Sequence, residues 1–241
     1  MATTAEKNAF KAQIAADEAN RSVTIGTFNI NKYVKQSPEP IQKAMHIAME
    51  KGIGIIGVQE YCEFWNLPES TSKIAGVYDH VGKQRILDLS WGSGWQGNAV
   101  VSTFGLSTKT GGVYSALGNG EQPRGYVKVI FNTSYKNVSL YNTHFSQNGN
   151  TYVRKHAQEL ANVIKNDKNY YKVITGDFNS YSEYDLKPLL ELGFKPVFPF
   201  TSKQIDNILA PEYMTVLDKN SVQDLETITD HNLYYATLRF D

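Results

Sequence analysis

Only one cysteine, Cys62, occurs in 241 residues, so no intramolecular disulfide can form. That fits a reducing compartment, although many secreted bacterial proteins also lack disulfides. Charge of one sign is missing too: 24 basic residues balance 24 acidic ones. A module that grips nucleic-acid backbone in bulk carries a basic surplus, so any such grip here is local. This weighs against a non-catalytic DNA-binding module and leaves room for an enzyme that handles one phosphate at a time. No apolar run reaches the ~20 residues that span a bilayer, and no stable membrane association is expected. The opening MATTAEKNAFKAQIAADEAN lacks the apolar stretch of an intact secretory leader. The compartment stays open: cytoplasmic if Met1 is native, secreted if a leader has been removed. No linker, low-complexity tract or block of like charge divides the chain.

What is present is an ordinary globular composition, 41% hydrophobic and 20% charged, with enough length for one large core. Residues 1–20 read as a peripheral helix, with Phe10 and Ile14 at helical spacing, and residues 21–241 as a single domain. Strands are expected at VTIGTFNI (23–30), IGIIGVQE (53–60), GNAVVST (97–103), YVKVIFN (126–132), VSLYNTH (138–144) and YKVITGDFN (171–179). QIDNILAP (204–211) and HNLYYATLRF (231–240) read as late strands. Helices are expected at 40–52, closed by Gly52, and at 153–166 and 182–194. Several strands follow one another without an intervening helix, which favours sheets packed face to face and covered by helices over a doubly wound parallel sheet. Strand–helix–strand ending in QE, and again ending in GDFN, suggests two related halves with both acids at one rim.

The polar residues gather at strand ends: Asn29, Glu60, His144, Asp177 with Asn179, Asp206 inside QIDNIL, and Asp230-His231 before the last strand. Each alone reads first as a turn cap or an exposed strand terminus. In an extended chain, alternation would place Asp177 and Asn179 on one side. Taken together, carboxylates, histidines and amides without thiols suit a hard divalent cation and a phosphate.

TFNI, GVQE, GNAVVST, NTH, GDFN, IDNIL and TDH resemble, in order and approximate spacing, the endonuclease/exonuclease/phosphatase superfamily. That group includes deoxyribonuclease I, exonuclease III, abasic-site endonucleases, inositol polyphosphate 5-phosphatases and bacterial sphingomyelinases. The likeness runs from about residue 23 to the C-terminus. It implies an α+β sandwich of two packed, mainly antiparallel sheets flanked by helices, as in deoxyribonuclease I. It also implies Glu60 as principal ligand of Mg²⁺ (or Mn²⁺, with Ca²⁺ admissible), with Asn29 beside it and Asp230 close by. Asp177 would orient or deprotonate the attacking water, and Asn179 would bind the scissile phosphate. His144 would contact phosphate, and His231 would be the catalytic imidazole held by Asp206. Arg124, in EQPRGYVKV, falls where the family often has a phosphate-binding arginine. TDH stands where SDH is commoner, and the hydroxyl is kept.

Other candidates carry less. His46 and His156 read as helix-surface or packing residues, His80 has no assignment, and Cys62 reads as a buried packing residue. Trp91 and Trp95, among glycines, suit either base stacking or a turn with core tryptophans. The resemblance implies a monomeric, metal-dependent phosphoesterase, first of all a nuclease with DNA as substrate. A phosphatase or phospholipid phosphodiesterase of the inositol phosphate or sphingomyelin type is the alternative. FTSKQIDNIL lacks the Trp-Cys-Asp-Arg element expected of inositol 5-phosphatases, and no exposed aromatic membrane hairpin is evident.

Overall fold

The computed structural model describes residues 2–30, 39–63, 78–88, 94–223, 225 and 229–241. Helix α1 (Thr4–Ala19) starts at a capping box: Thr3 accepts from the Glu6 backbone while the Glu6 carboxylate accepts from the Thr3 backbone. Phe10 and Ile14 enter the main core, and the Asp17 carboxylate accepts from the Thr24 hydroxyl at 3.1 Å. Strand β1 (Ser22–Asn29) is buried throughout, with the small polar Ser22, Thr24 and Thr27 among Val23, Ile25 and Phe28, as a central strand between two neighbours. Helix α2 (Glu39–Glu50) crosses from it to β2 (Ile55–Glu63), and Gly52 makes the return at φ 70°, a left-handed geometry suited to glycine.

The remaining elements are β3 (His80–Asp88), β4 (Trp95–Ser102), β5 (Gly105–Val113), β6 (Gly125–Asn132) and β7 (Asn137–His144), then α3 (Asn150–Lys165) and β8 (Tyr171–Asp177). A 3₁₀ turn (Glu183–Leu186) and the short α4 (Lys187–Leu190) lead to β9 (Phe194–Pro196), β10 (Asp206–Pro211), β11 (Met214–Val222) and β12 (Leu233–Phe240). The helix expected over 182–194 is thus shorter: the chain turns at Gly193, φ 87°, and re-enters a sheet.

Two six-stranded sheets result, in the orders β11-β12-β1-β2-β4-β3 and β5-β6-β7-β8-β10-β9. Each is antiparallel except for one central parallel pair, β1/β2 or β7/β8, bridged by a helix. The two orders superimpose in topology, with β1-α2-β2-β3-β4 matching β7-α3-β8-β9-β10, as the repeated strand–helix–strand pattern suggested. The strands not foreseen from sequence are β3, β5, β9 and β11, the four sheet edges. Edge strands carry polar and charged residues on both faces, so they lack the apolar run or clean alternation that marks a central strand.

The sheets pack face to face over Ile25, Val58, Val100, Val127, Leu140 and Val173. A second apolar cluster lies under α3, where Phe178 meets Phe145 edge-on at 5.4 Å. One polar seam crosses between the sheets. Asn142 donates to the Val58 and Ala99 carbonyls at 2.8 and 2.9 Å, and its Oδ1 accepts from Gln59 at 2.5 Å and Thr175 at 3.1 Å. Gly57 makes room for it, because a Cβ there would meet Thr175 Oγ1 at 2.1 Å. Among the described residues no helix is long and apolar enough to cross a membrane.

Candidate active site

Strand register assembles the site. Across β6, β7, β8 and β10, Gly125 lies opposite His144, His144 opposite Asp177, and Asp177 opposite Asp206. Arg124 precedes Gly125, so Arg124, His144, Asp177 and Asp206 form one row along the rim of the second sheet. From the first sheet, Asn29 ends β1 and donates from Nδ2 to Asp177 Oδ2 at 2.9 Å. Thr229 donates to the Asn29 carbonyl at 2.9 Å and accepts from the His231 backbone at 3.2 Å, bringing His231 to the same rim.

Asp177 and Asp206 are both buried and directly opposed, an arrangement that like charges disfavour. Burial raises both carboxyls above the ordinary range, and the Asp206 charge adds to the effect on Asp177. His231 relieves the conflict. Its Nδ1 lies 2.7 Å from Asp206 Oδ2, and its Nε2 lies 4.0 Å from Asp177 and 3.8 Å from Asp230. Burial alone would lower His231, but the hydrogen bond to Asp206 and the three carboxylate charges prevail and push it up to about 9. At neutral pH the ring is therefore an imidazolium, with Nδ1 donating to Asp206 and Nε2 facing the site.

His144 Nε2 lies 3.4 Å from Asp177. The Arg124 guanidinium approaches both ring nitrogens of His144, at 3.0 and 3.1 Å. Behind them lies Glu121, which the sequence reading did not single out. It accepts from Ser146 Oγ at 2.5 Å and the Gln147 backbone at 2.9 Å, and lies 3.4 Å from Arg124 Nε. Its position three residues before Arg124 was the one available signal. His156 is buried: it accepts from the Ser146 backbone at 3.1 Å and contacts the Ala116 carbonyl at 2.7 Å, a packing role for the segment that follows His144.

One expectation changes in detail. The chain does not continue extended through GDFN: β8 ends at Asp177, and Asn179 adopts φ 46°. Asn179 reaches the rim through a turn, its backbone donating to Asp177 at 3.0 Å and its side chain to the Phe145 carbonyl at 3.0 Å. The cap and the site are the same structure. Asp177, Asp206 and His231 bring ligand atoms within 4.8 Å of one another; of the residues expected to hold metal, Asn29 bonds Asp177 at 2.9 Å and Asp230 lies 3.8 Å from His231. Glu60, half-buried, sits at φ 55° where the β2–β4 register slips, one residue beyond the pairing of Asn29 with Gln59. Glu60 and Asn179, just beyond the last parallel pairing of each half, both adopt left-handed backbone, a costly conformation that clusters at functional sites. Trp95 packs on Tyr61, ring centroids 5.8 Å apart, with Lys83 over its face. Trp91 lies outside the described residues.

No protein-family model and no curated protein matches the sequence. Solved structures do. An endonuclease/exonuclease/phosphatase family protein from Leptotrichia buccalis aligns with a TM-score of 0.71 at 15% identity, over 90% of this chain and 100% of its own. A mannosyl-6-phosphatase from Bacteroides thetaiotaomicron gives 0.65 at 15% identity, over 90% and 100%. Sphingomyelinase C from Streptomyces griseocarneus gives 0.65 at 13%, over 90% and 99%. The chain has the endonuclease/exonuclease/phosphatase fold.

Proposed function

We propose that this chain is a divalent-metal-dependent phosphoesterase that hydrolyses phosphodiester bonds, with DNA as its substrate. One observation carries the reading. Register across neighbouring strands sets His144, Asp177 and Asp206 in a row, Arg124 extends it by its 3.0 Å contact with His144, and the Asp206–His231 pair closes it at 2.7 Å. Such a row joins a carboxylate able to hold a water, an oriented imidazolium and cationic donors for phosphoryl oxygens.

The residues fit a hard cation. The rim offers carboxylate and amide oxygens, and among the described residues the buried Asp206 Oδ1 has no hydrogen-bond partner. Glu60, Asn29 and Asp230 would hold Mg²⁺ or Mn²⁺ there, which when bound would offset the charge developing on the phosphoryl oxygens. Asp177, steadied by Asn29 and the Asn179 backbone, orients the attacking water and takes its proton. Its raised affinity for a proton suits that role. His231 donates from Nε2 toward the leaving oxygen while Asp206 fixes its tautomer, as an acid orients imidazole in other hydrolases. Arg124, His144 and Asn179 face the phosphoryl oxygens.

A phosphatase or phospholipid phosphodiesterase is the second reading, favoured by the neutral net charge and by the mannosyl-6-phosphatase and sphingomyelinase among the structures that share the fold. Assays with Mg²⁺ or Mn²⁺ on plasmid DNA, abasic duplex, RNA, sugar and inositol phosphates, and sphingomyelin separate the two. Cleavage of nucleic acid supports the first. Turnover of only the monoester or lipid substrates transfers the proposal to the second.

A further inference from the structure

We propose that Glu6, His46 and Glu50 form a second metal site, suited to a zinc-class dication, that ties α1 to α2. His46 and Glu50 are one helical turn apart on α2, and Glu6 comes from the first turn of α1. His46 Nε2 lies 3.4 Å from Glu50 Oε1 and 3.8 Å from Glu6 Oε1, and the three ligand atoms fall within 4.8 Å of one another. A tetrahedral ion with bonds of about 2.0–2.1 Å holds its ligands roughly 3.4 Å apart, so small rotamer changes complete the geometry. Glu6 is already oriented. Its Oε2 accepts from the Thr3 backbone at 2.6 Å and the Thr3 hydroxyl at 2.8 Å, while Oε1 faces the imidazole. The three side chains are 31–53% exposed, which leaves room for water as a fourth ligand. One imidazole with two carboxylates suits zinc, cobalt or nickel better than magnesium or calcium.

The alternative arrangement of the same atoms is a pair of surface ion pairs, and stoichiometric uptake of zinc distinguishes them. Glu6 from α1 and Glu50 from α2 are the acidic partners of His46 among the described residues. An ion pair needs the imidazolium, whereas a metal needs neutral imidazole and displaces the proton. The link would act at the start of α1, whose other end is fixed by Asp17 and Thr24.

The test uses the full chain, stripped with chelator and then supplied with Mg²⁺. Zinc is titrated by calorimetry and thermal unfolding into the wild type, His46→Ala and Glu50→Gln. Zinc taken up at the rim is common to all three and cancels. The proposal expects one additional zinc equivalent in the wild type and a rise in unfolding midpoint that both variants lack. Equal stoichiometry and equal shifts in all three proteins overturn the site. Phosphoesterase assays report on the rim separately, and His46→Ala should leave that activity unchanged.

Discussion

Asp206→Asn should change the protonation state of His231 more than any other single substitution at the rim. His231 is held at about 9 against an ordinary 6.5. That difference corresponds to roughly 3 kcal/mol favouring the imidazolium, at about 1.4 kcal/mol per pH unit. Its largest favourable sources are the 2.7 Å contact and the charge of Asp206. Asparagine keeps the shape and removes the charge, leaving only Asp177 and Asp230 to oppose the effect of burial. The assay is the pH dependence of the His231 Cε1–H resonance in chelated protein, assigned by its absence in His231→Gln. The wild type should titrate near pH 9, and Asp206→Asn below about pH 7. Hydrolysis should fall about 10²–10⁴-fold in the variant. Stability follows the same linkage. The folded chain holds this proton more tightly than the unfolded chain, so the contribution is complete below about pH 6.5 and is lost as pH rises through about 9. An Asp206→Asn midpoint within about half a pH unit of the wild type would refute the reasoning.

Glu60→Gly removes a left-handed non-glycine residue, so it should raise unfolding stability by up to about 1 kcal/mol while abolishing hydrolysis; lost stability with retained turnover would contradict both assignments. Gly57→Ala should cost about 1–3 kcal/mol in urea unfolding, since its Cβ would press on Thr175 and Asn142 in the polar seam; an unchanged midpoint would show that the seam yields. Glu121→Gln should lower turnover about 10-fold or more with little change in KM, because the charge facing Arg124 and one of the two oxygens accepting from Ser146, Gln147 and Arg124 are lost. A rise in KM alone would place Glu121 in binding instead of positioning.

The central strands of both sheets were legible in the sequence because burial on both faces leaves an apolar run that ends abruptly in a polar residue. Asn29, Glu60, His144 and Asp177 stood out for that reason. Edge strands such as β5, GLSTKTGGV, gave no such contrast, since their periodicity is diluted by exposure on both faces. Register was the larger gap. That His144, Asp177 and Asp206 share one row depends on pairings between strands distant in sequence, and spacing alone cannot fix these. The same limit hid the link from Asn29 to Asp177, which crosses between the sheets over 148 residues of chain. Asn179 shows the opposite case. Its arrival at the rim was anticipated, but by alternation, whereas the structure brings it there by a turn.

The central claim is that the row closed by Asp206 and His231 hydrolyses phosphodiesters with a divalent cation. The most direct measurement is hydrolysis of plasmid DNA and of a bis-aryl phosphodiester by chelated protein, with and without Mg²⁺ or Mn²⁺, for the wild type, Asp177→Ala and His231→Ala. Turnover in the wild type should depend on the metal and should be lost in both variants, which remain folded. Metal-independent turnover, or full activity in either variant, would contradict the claim.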